Sequence, residues 1–243
     1  MKISKVDVLA IGAHPDDIEL GAGGTLAALV AAGKKVGMLD LTLGELGSRG
    51  NAELRTKEAM ESAEYLGVAF RIQLNLGDGQ INTSVENKSE VIRVLRASCP
   101  DVVLANTLND RHIDHGNAAL LVKESCFLSG LAKWETMADG QLQLPWRPQF
   151  LLHYIQDHYH KPTLVVDITK FYEQKRRAIL TFGSQFYNAE ATEPETPISS
   201  EDFLHFLESR AREKGRWIGC TYGEGFVSEV PLNIPKLHAL MGV

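Results

Sequence analysis

Apolar and polar positions fall into blocks along the first half of the chain, and the blocks alternate between strand and helix periods. Residues 6–11 form an apolar run of the kind carried by central parallel strands, which are buried on both faces. Residues 21–32 read as a helix of small residues whose glycines suit close packing on a sheet, and Gly33 stops it. Residues 35–41 predict a second strand, followed by a glycine-rich loop over 43–50. Asn51 is placed to cap the next helix, with Leu54, Met60, Ala63 and Leu66 along one stripe. A third strand is expected over 69–74. Residues 86–98 predict an amphipathic helix that turns Val91, Ile92 and Leu95 inward; Pro100 ends it, and a fourth strand is expected over 101–105.

The second half is less periodic. Helices are expected over 117–128, 169–182 and 201–214, and strands over 150–156 and 163–168. Residues 133–148 read as irregular surface chain whose Trp134 and Trp146 offer aromatic surface to a partner, and residues 190–200 as a loop or lid. The order of elements implies an α/β, Rossmann-like three-layer fold with a mostly parallel sheet and an irregular C-terminal portion. A single domain is expected over 1–243.

Composition narrows the function classes. At 44% hydrophobic residues the 243-residue chain can bury a substantial core, and its 23% charged residues are ordinary for a globular protein. A formal net charge of -6 argues against a nucleic acid or an anionic membrane as the partner. No charge-free apolar run approaches the roughly 18 residues of a membrane span. The start of the chain leads into a strand without a signal-peptide cleavage pattern. Cys99, Cys126 and Cys220 are odd in number and widely spaced, which fits buried thiols in a reducing compartment, so a cytoplasmic location is expected.

Chemistry concentrates in two places. Ala13-His14-Pro15-Asp16-Asp17-Ile18-Glu19 follows the first strand, and Asn109-Asp110-Arg111-His112-Ile113-Asp114-His115 follows the fourth. Both lie at the carboxyl end of a strand before a helix, where open α/β sheets build their sites. Two histidines and a carboxylate with an open position for water form a known catalytic zinc set. A metal-bound water becomes a usable nucleophile near neutral pH, and the remaining carboxylates and histidine are then available as base, acid or oxyanion stabiliser. Taken singly, an Asp-Asp pair after a strand is a turn or helix cap, and Asp114 a cap for the next helix. Gly21-Ala22-Gly23-Gly24 has the wrong spacing for a dinucleotide fingerprint, and the carboxylates before it would repel a pyrophosphate.

These paired motifs resemble the PIG-L/LmbE-like family of zinc-dependent N-acetylglucosaminyl deacetylases. The resemblance extends through Thr42-Leu43-Gly44-Glu45-Leu46-Gly47-Ser48-Arg49-Gly50, Glu53-Leu54-Arg55, Gly183-Ser184-Gln185-Phe186 and Tyr222-Gly223-Glu224-Gly225-Phe226. Within the family the chain looks most like the bacillithiol biosynthesis deacetylases, which remove acetate from N-acetylglucosaminyl malate. The resemblance implies His14, Asp17 and His115 as ligands of one zinc ion and Asp16 as general base; the mixed nitrogen and oxygen ligands make iron the other candidate. It implies that His112 polarises the carbonyl or stabilises the oxyanion, with Asp114 holding its ring. Arg55 matches an arginine near the sugar pocket, against the plain reading of a solvated helix face. Arg111 is placed to meet the malate carboxylates, on charge complementarity. His158 or His160 is expected to line the pocket or reach a neighbouring subunit, and Phe203 is the nearest aromatic to the family's lid tyrosine. A small amino-sugar glycoside is the expected substrate, and a homo-oligomer, a hexamer, the expected assembly. The rival readings are a relative acting on a thiol conjugate, a chitobiose or a lipid-linked sugar, and a non-enzymatic metal- or nucleotide-binding protein on the same scaffold.

Overall fold

Strand β1 (Val8–Gly12) is buried along its whole length, because it runs through the middle of the sheet with a strand on either side. In the computed structural model, which describes residues 3–189 and 192–242, seven strands run in the order β3-β2-β1-β4-β7-β9-β8. Here β2 is Val36–Asp40, β3 Phe70–Gln73, β4 Val102–Ala105, β7 Phe150–Tyr154, β8 Leu164–Asp167 and β9 Gly223–Val227. A small antiparallel hairpin, β5 (Met137–Ala138) with β6 (Gln141–Leu142), stands apart. Strands β3, β2, β1, β4 and β7 pair in parallel, whereas β9 is antiparallel to both its neighbours. Glu190 and Ala191, in the expected lid, lie outside the described residues.

Alternation along the strands makes the three layers. Val8 and Ala10 face a core completed by Ile18, Leu26 and Leu29 of helix α1 (Asp17–Ala31) and by Ala178 of α5 (Tyr172–Leu180). Leu9 and Ile11 face the opposite core, completed by Val91, Val94 and Leu95 of α3 (Val85–Ser98) and by Leu121 and Val122 of α4 (Ile113–Leu128). Each large apolar side chain buried this way contributes about 1.5–3 kcal/mol.

Helix α1 has no solvent face over most of its length; every residue from Asp17 to Leu29 is buried. Its glycines make this possible. A Cβ on Gly21 would lie 2.1 Å from the Tyr154 ring, and one on Gly24 would lie 2.8 Å from Ile168. Where these neighbours press in, polar side chains join the helix's own hydrogen bonding. Glu224 of β9 accepts from Gly24 N at 3.0 Å and Thr25 N at 2.7 Å, while Lys175 of α5 donates to Leu20 O at 2.8 Å and pairs with Glu224 at 2.5 Å.

Several sequence expectations shift. Helices α1 and α4 begin at Asp17 and Ile113, four residues before their expected starts at 21 and 117, so the motif residues Asp17, Asp114 and His115 lie in first turns. Asn51 caps α2 (Ala52–Leu66) as expected, by accepting from Leu54 N. Of the expected stripe of α2, Ala63 and Leu66 are buried in the core, Met60 is half-buried and Leu54 is exposed; the buried face also carries Arg55, Glu58, Ala59 and Ser62. Arg55 extends that face to the cavity described below. Trp134 and Trp146 are half-buried and donate to Ser89 Oγ and Pro100 O of their own chain, so they are not the free aromatic surface expected. Helix α6 (Glu201–Ile218) runs longer than expected, and β9 and α7 (Ile234–Met241) lie within the portion expected to be irregular.

Candidate active site

The sheet order reverses at β1 and β4, whose next strands lie on opposite sides, and the crevice outside their carboxyl ends is the place such folds offer for a ligand. Both motifs converge there. A cavity of about 360 Å³ is lined by His14, Asp16, Asp17, Arg55, Asp78, Arg111, His112, His115 and Gln156, among others.

Asp17 lies between two histidines. Its Oδ2 is 3.5 Å from His14 Nδ1 and its Oδ1 3.1 Å from His115 Nε2. The far nitrogen of each ring has its own carboxylate: His14 Nε2 lies 3.0 Å from Asp78 and 3.3 Å from Asp114, and His115 Nδ1 lies 3.0 Å from Asp110. Metal-binding histidines are characteristically oriented this way, one nitrogen inward and the other held from behind. His112 closes the group, with ligand atoms of His14, His112 and His115 all within 4.8 Å of one another.

The electrostatics of this donor set suit a cation. Asp17, Asp78 and Asp114 are buried together, and one buried oxygen of Asp114 has no hydrogen-bond partner. Burial disfavours ionising Asp17, yet the adjacent His115 and His14 hold its carboxyl well below the usual range. Burial also works to discharge the histidines, but hydrogen bonds to Asp114, Asp17 and Asp78 carry His14 well above its usual value, and Asp17 and Asp110 carry His115 to about 9. Positive charge is stabilised here whether a proton or a metal ion supplies it, so these residues fit a divalent ion.

Asp16 faces the other way. Its carboxylate lies 3.1 Å from Arg55 Nη2, and its backbone φ of 124° is a conformation that a non-glycine residue rarely adopts. Burial raises its carboxyl to about 7, assisted by Asp17 and opposed by Arg55. Arg55 lines the cavity and its guanidinium also holds Gly44 O and Pro15 O, so it braces Asp16 and the glycine-rich loop while its buried Nε has no hydrogen-bond partner. It is buried, not on a solvated helix face.

His112 accepts from Asp114 N at Nδ1, 3.2 Å, capping α4 with its ring and leaving Nε2 to carry the proton. Burial lowers its pKa, and His14 and His115 lower it further. The carboxylate of Asp114 does not hold this ring as expected; it turns to His14 Nε2 and Gly79 N, because the start of α4 points it beneath His14. Arg111 reaches the cavity but pairs through Nε with Asp157. His158 and His160 lie outside the cavity: the first contributes its backbone N–H to Asp110, and the second bonds Asn109 O. Phe203 stacks on Phe186 in a satellite core.

Sequence reading missed Asp78, Asn106 and Gln156 and gave Asp110 no separate part. Asn106 Nδ2 donates to Asp17 Oδ2 at 3.1 Å, and Gln156 Nε2 to Asp17 Oδ1 at 2.7 Å. One signal was available: Asp78, Asn106 and Gln156 each closely follow a parallel strand at the same sheet edge.

Comparison with known proteins gives consistent results. A family model described as PIG-L, GlcNAc-PI de-N-acetylase, matches residues 9–126. The chain is 32% identical over 246 residues to a diacetylchitobiose deacetylase of Thermococcus kodakarensis, covering 96% of this chain and 88% of that protein. Among solved structures, the conserved protein TT1542 of Thermus thermophilus superposes with a TM-score of 0.83 at 36% identity, covering 93% and 96% of the two chains. The N,N'-diacetylchitobiose deacetylase of Pyrococcus horikoshii, complexed with an inhibitor, gives 0.75 at 31%, covering 90% and 82%.

Proposed function

The chain belongs to the PIG-L family of de-N-acetylases, and from that premise we propose that this cavity hydrolyses the N-acetyl group of an N-acetylglucosaminide with a divalent metal ion. The observation that carries the reading is the approach of His14 and His115 to the two oxygens of one buried carboxylate, Asp17, with Asp16 turned aside onto Arg55. His14, Asp17 and His115 hold the ion, which we read as zinc. When bound there, the ion supplies Lewis-acid polarisation of a water and of the acetyl carbonyl.

The chain's own groups do the rest. Asp16 accepts a proton as water adds to the acetyl carbon, and returns it to the amine nitrogen as the C–N bond breaks. His112 donates from Nε2 to the oxygen that gathers charge. Arg55 keeps Asp16 in place, and Asp114 orients His14 from behind. Acetate and a free amino sugar leave.

The finer reading is N-acetylglucosaminyl malate as substrate, with Arg111 at the mouth of the cavity beside the carboxylates, and a homo-oligomer, a hexamer, as the assembly. Acetate release across a panel of N-acetylglucosaminides tests the substrate: kcat/KM should be higher for the malate glycoside than for free N-acetylglucosamine or diacetylchitobiose. Equal efficiency on all three removes malate and leaves the deacetylase. Chelation that leaves activity intact removes the metal. Light scattering at micromolar concentration should give an oligomer, and a monomer there overturns the assembly.

A further inference from the structure

We infer that Arg210, on helix α6, is a positioning residue for the metal centre, acting through the three residues 156–158 beyond β7. The inference rests on the reading of His14, Asp17 and His115 as metal ligands. The Arg210 guanidinium donates to three successive main-chain carbonyls: those of Gln156 and Asp157 from Nη1, the latter at 2.6 Å, and that of His158 from Nη2 at 3.4 Å. The face of the guanidinium lies 5.1 Å from the Phe206 ring, also on α6, which adds a second constraint on its orientation.

The segment so held reaches the metal centre by two arms. Gln156 Nε2 donates to Asp17 Oδ1 at 2.7 Å, and its own Oε1 accepts from Asn106 Nδ2 at 3.2 Å. His158 N donates to Asp110 Oδ1 at 2.7 Å, and Asp110 Oδ2 holds His115 Nδ1 at 3.0 Å. Asp17, and the Asp110 that holds His115, are therefore each bonded by a residue whose backbone Arg210 sets. Three carbonyl oxygens turned toward one cation repel one another without it, and the guanidinium fork meets them from two nitrogens in a fixed plane, where an ammonium has one nitrogen. Without it the segment relaxes, and Gln156 and the His158 N–H withdraw from their carboxylates.

The test uses the full chain, stripped of metal, as wild type, Arg210→Gln, Gln156→Leu and the double variant. Zinc affinity is read by chelator competition, cobalt(II) geometry by visible absorption, and the fold by thermal melting of the metal-free protein. Each single variant is expected to bind zinc about 10–100-fold more weakly, the usual reach of groups behind the ligands. The cobalt band should shift in each, and the double variant should lose less than the product of the two single losses, because one residue acts through the other. If Arg210→Gln does not fold, Arg210→Lys, which keeps the charge but not the fork, is measured in its place with the same expectation. Zinc affinity within about twofold of wild type with an unchanged cobalt spectrum, or losses that multiply in full, overturns the inference. A wild-type chain that takes up no metal overturns the metal reading itself, and the two failures are thus distinguishable.

Discussion

Two adjacent aspartates with the same side chain are turned to different partners, one of them at a rare backbone angle. Asp17 is the first residue of α1 and points at His14 and His115; Asp16, at φ 124°, is turned toward Arg55. A rarely populated angle of this kind costs on the order of 1–3 kcal/mol, and the surrounding hydrogen bonds impose it. Asp16→Asn preserves shape and should keep zinc at wild-type stoichiometry while kcat falls by about 10²–10⁴, the range of general-base catalysis. On the proposed ligand set, Asp17→Ala leaves two protein ligands and should lose metal and activity together. Elemental analysis of both variants beside steady-state kinetics checks the division; near-normal turnover by Asp16→Asn, or metal loss in it, would mean that the roles are reversed.

Among the elements, α1 is the one whose sequence and surroundings agree most closely. Gly21→Ala would place a methyl 2.1 Å from the Tyr154 ring, whose hydroxyl is anchored to Ile11 O at 3.0 Å and cannot easily yield. A loss of about 1–3 kcal/mol in urea unfolding is expected, the cost of overpacking. Lys175→Met leaves Glu224 buried with only the Gly24 and Thr25 amides, and should cost about 3–5 kcal/mol, with part recovered in Lys175→Met/Glu224→Gln; a single variant as stable as wild type would show that the pair adds nothing. The strands β1 to β4 and the gathering of the His14 and His115 motifs at one edge were legible in the sequence, because apolar runs and strand-end chemistry are local signals. Strand β9 was not: Gly223-Glu224-Gly225 has little strand propensity, and its place comes from pairing with Val165 and Val166 and from the grip of Glu224 on α1. Gln156 and the grip of Arg55 on Asp16 were not legible for a related reason. What these two side chains bind lies 139 and 39 residues away in the chain, beyond any periodic pattern.

For the molecule as a whole, Lys214 sets a pH dependence of stability. It is 7% exposed, with its stem against Gly225, and burial, reinforced by Arg210 and Lys175, lowers its pKa from 10.5 to about 7. Between those values the unfolded chain holds a proton that the native chain has released, so stability rises with pH across that window, and the penalty of a buried charge is fully present below about pH 7. Lys214→Met should therefore melt higher than wild type at pH 7 and show a flatter rise toward pH 10; identical slopes in the two proteins would refute this. The grip of Glu224 on Gly24, 200 residues apart in sequence, also bears on how the chain is made. On the ribosome, α1 is made well before the carboxylate that completes its hydrogen bonding, and before the Arg210 that holds the segment beside Asp17. A nascent chain thus carries both histidine motifs before the clamps that pack around them. The hydrogen bonding of α1 and Asp17 is complete only once β9 and α6 have docked.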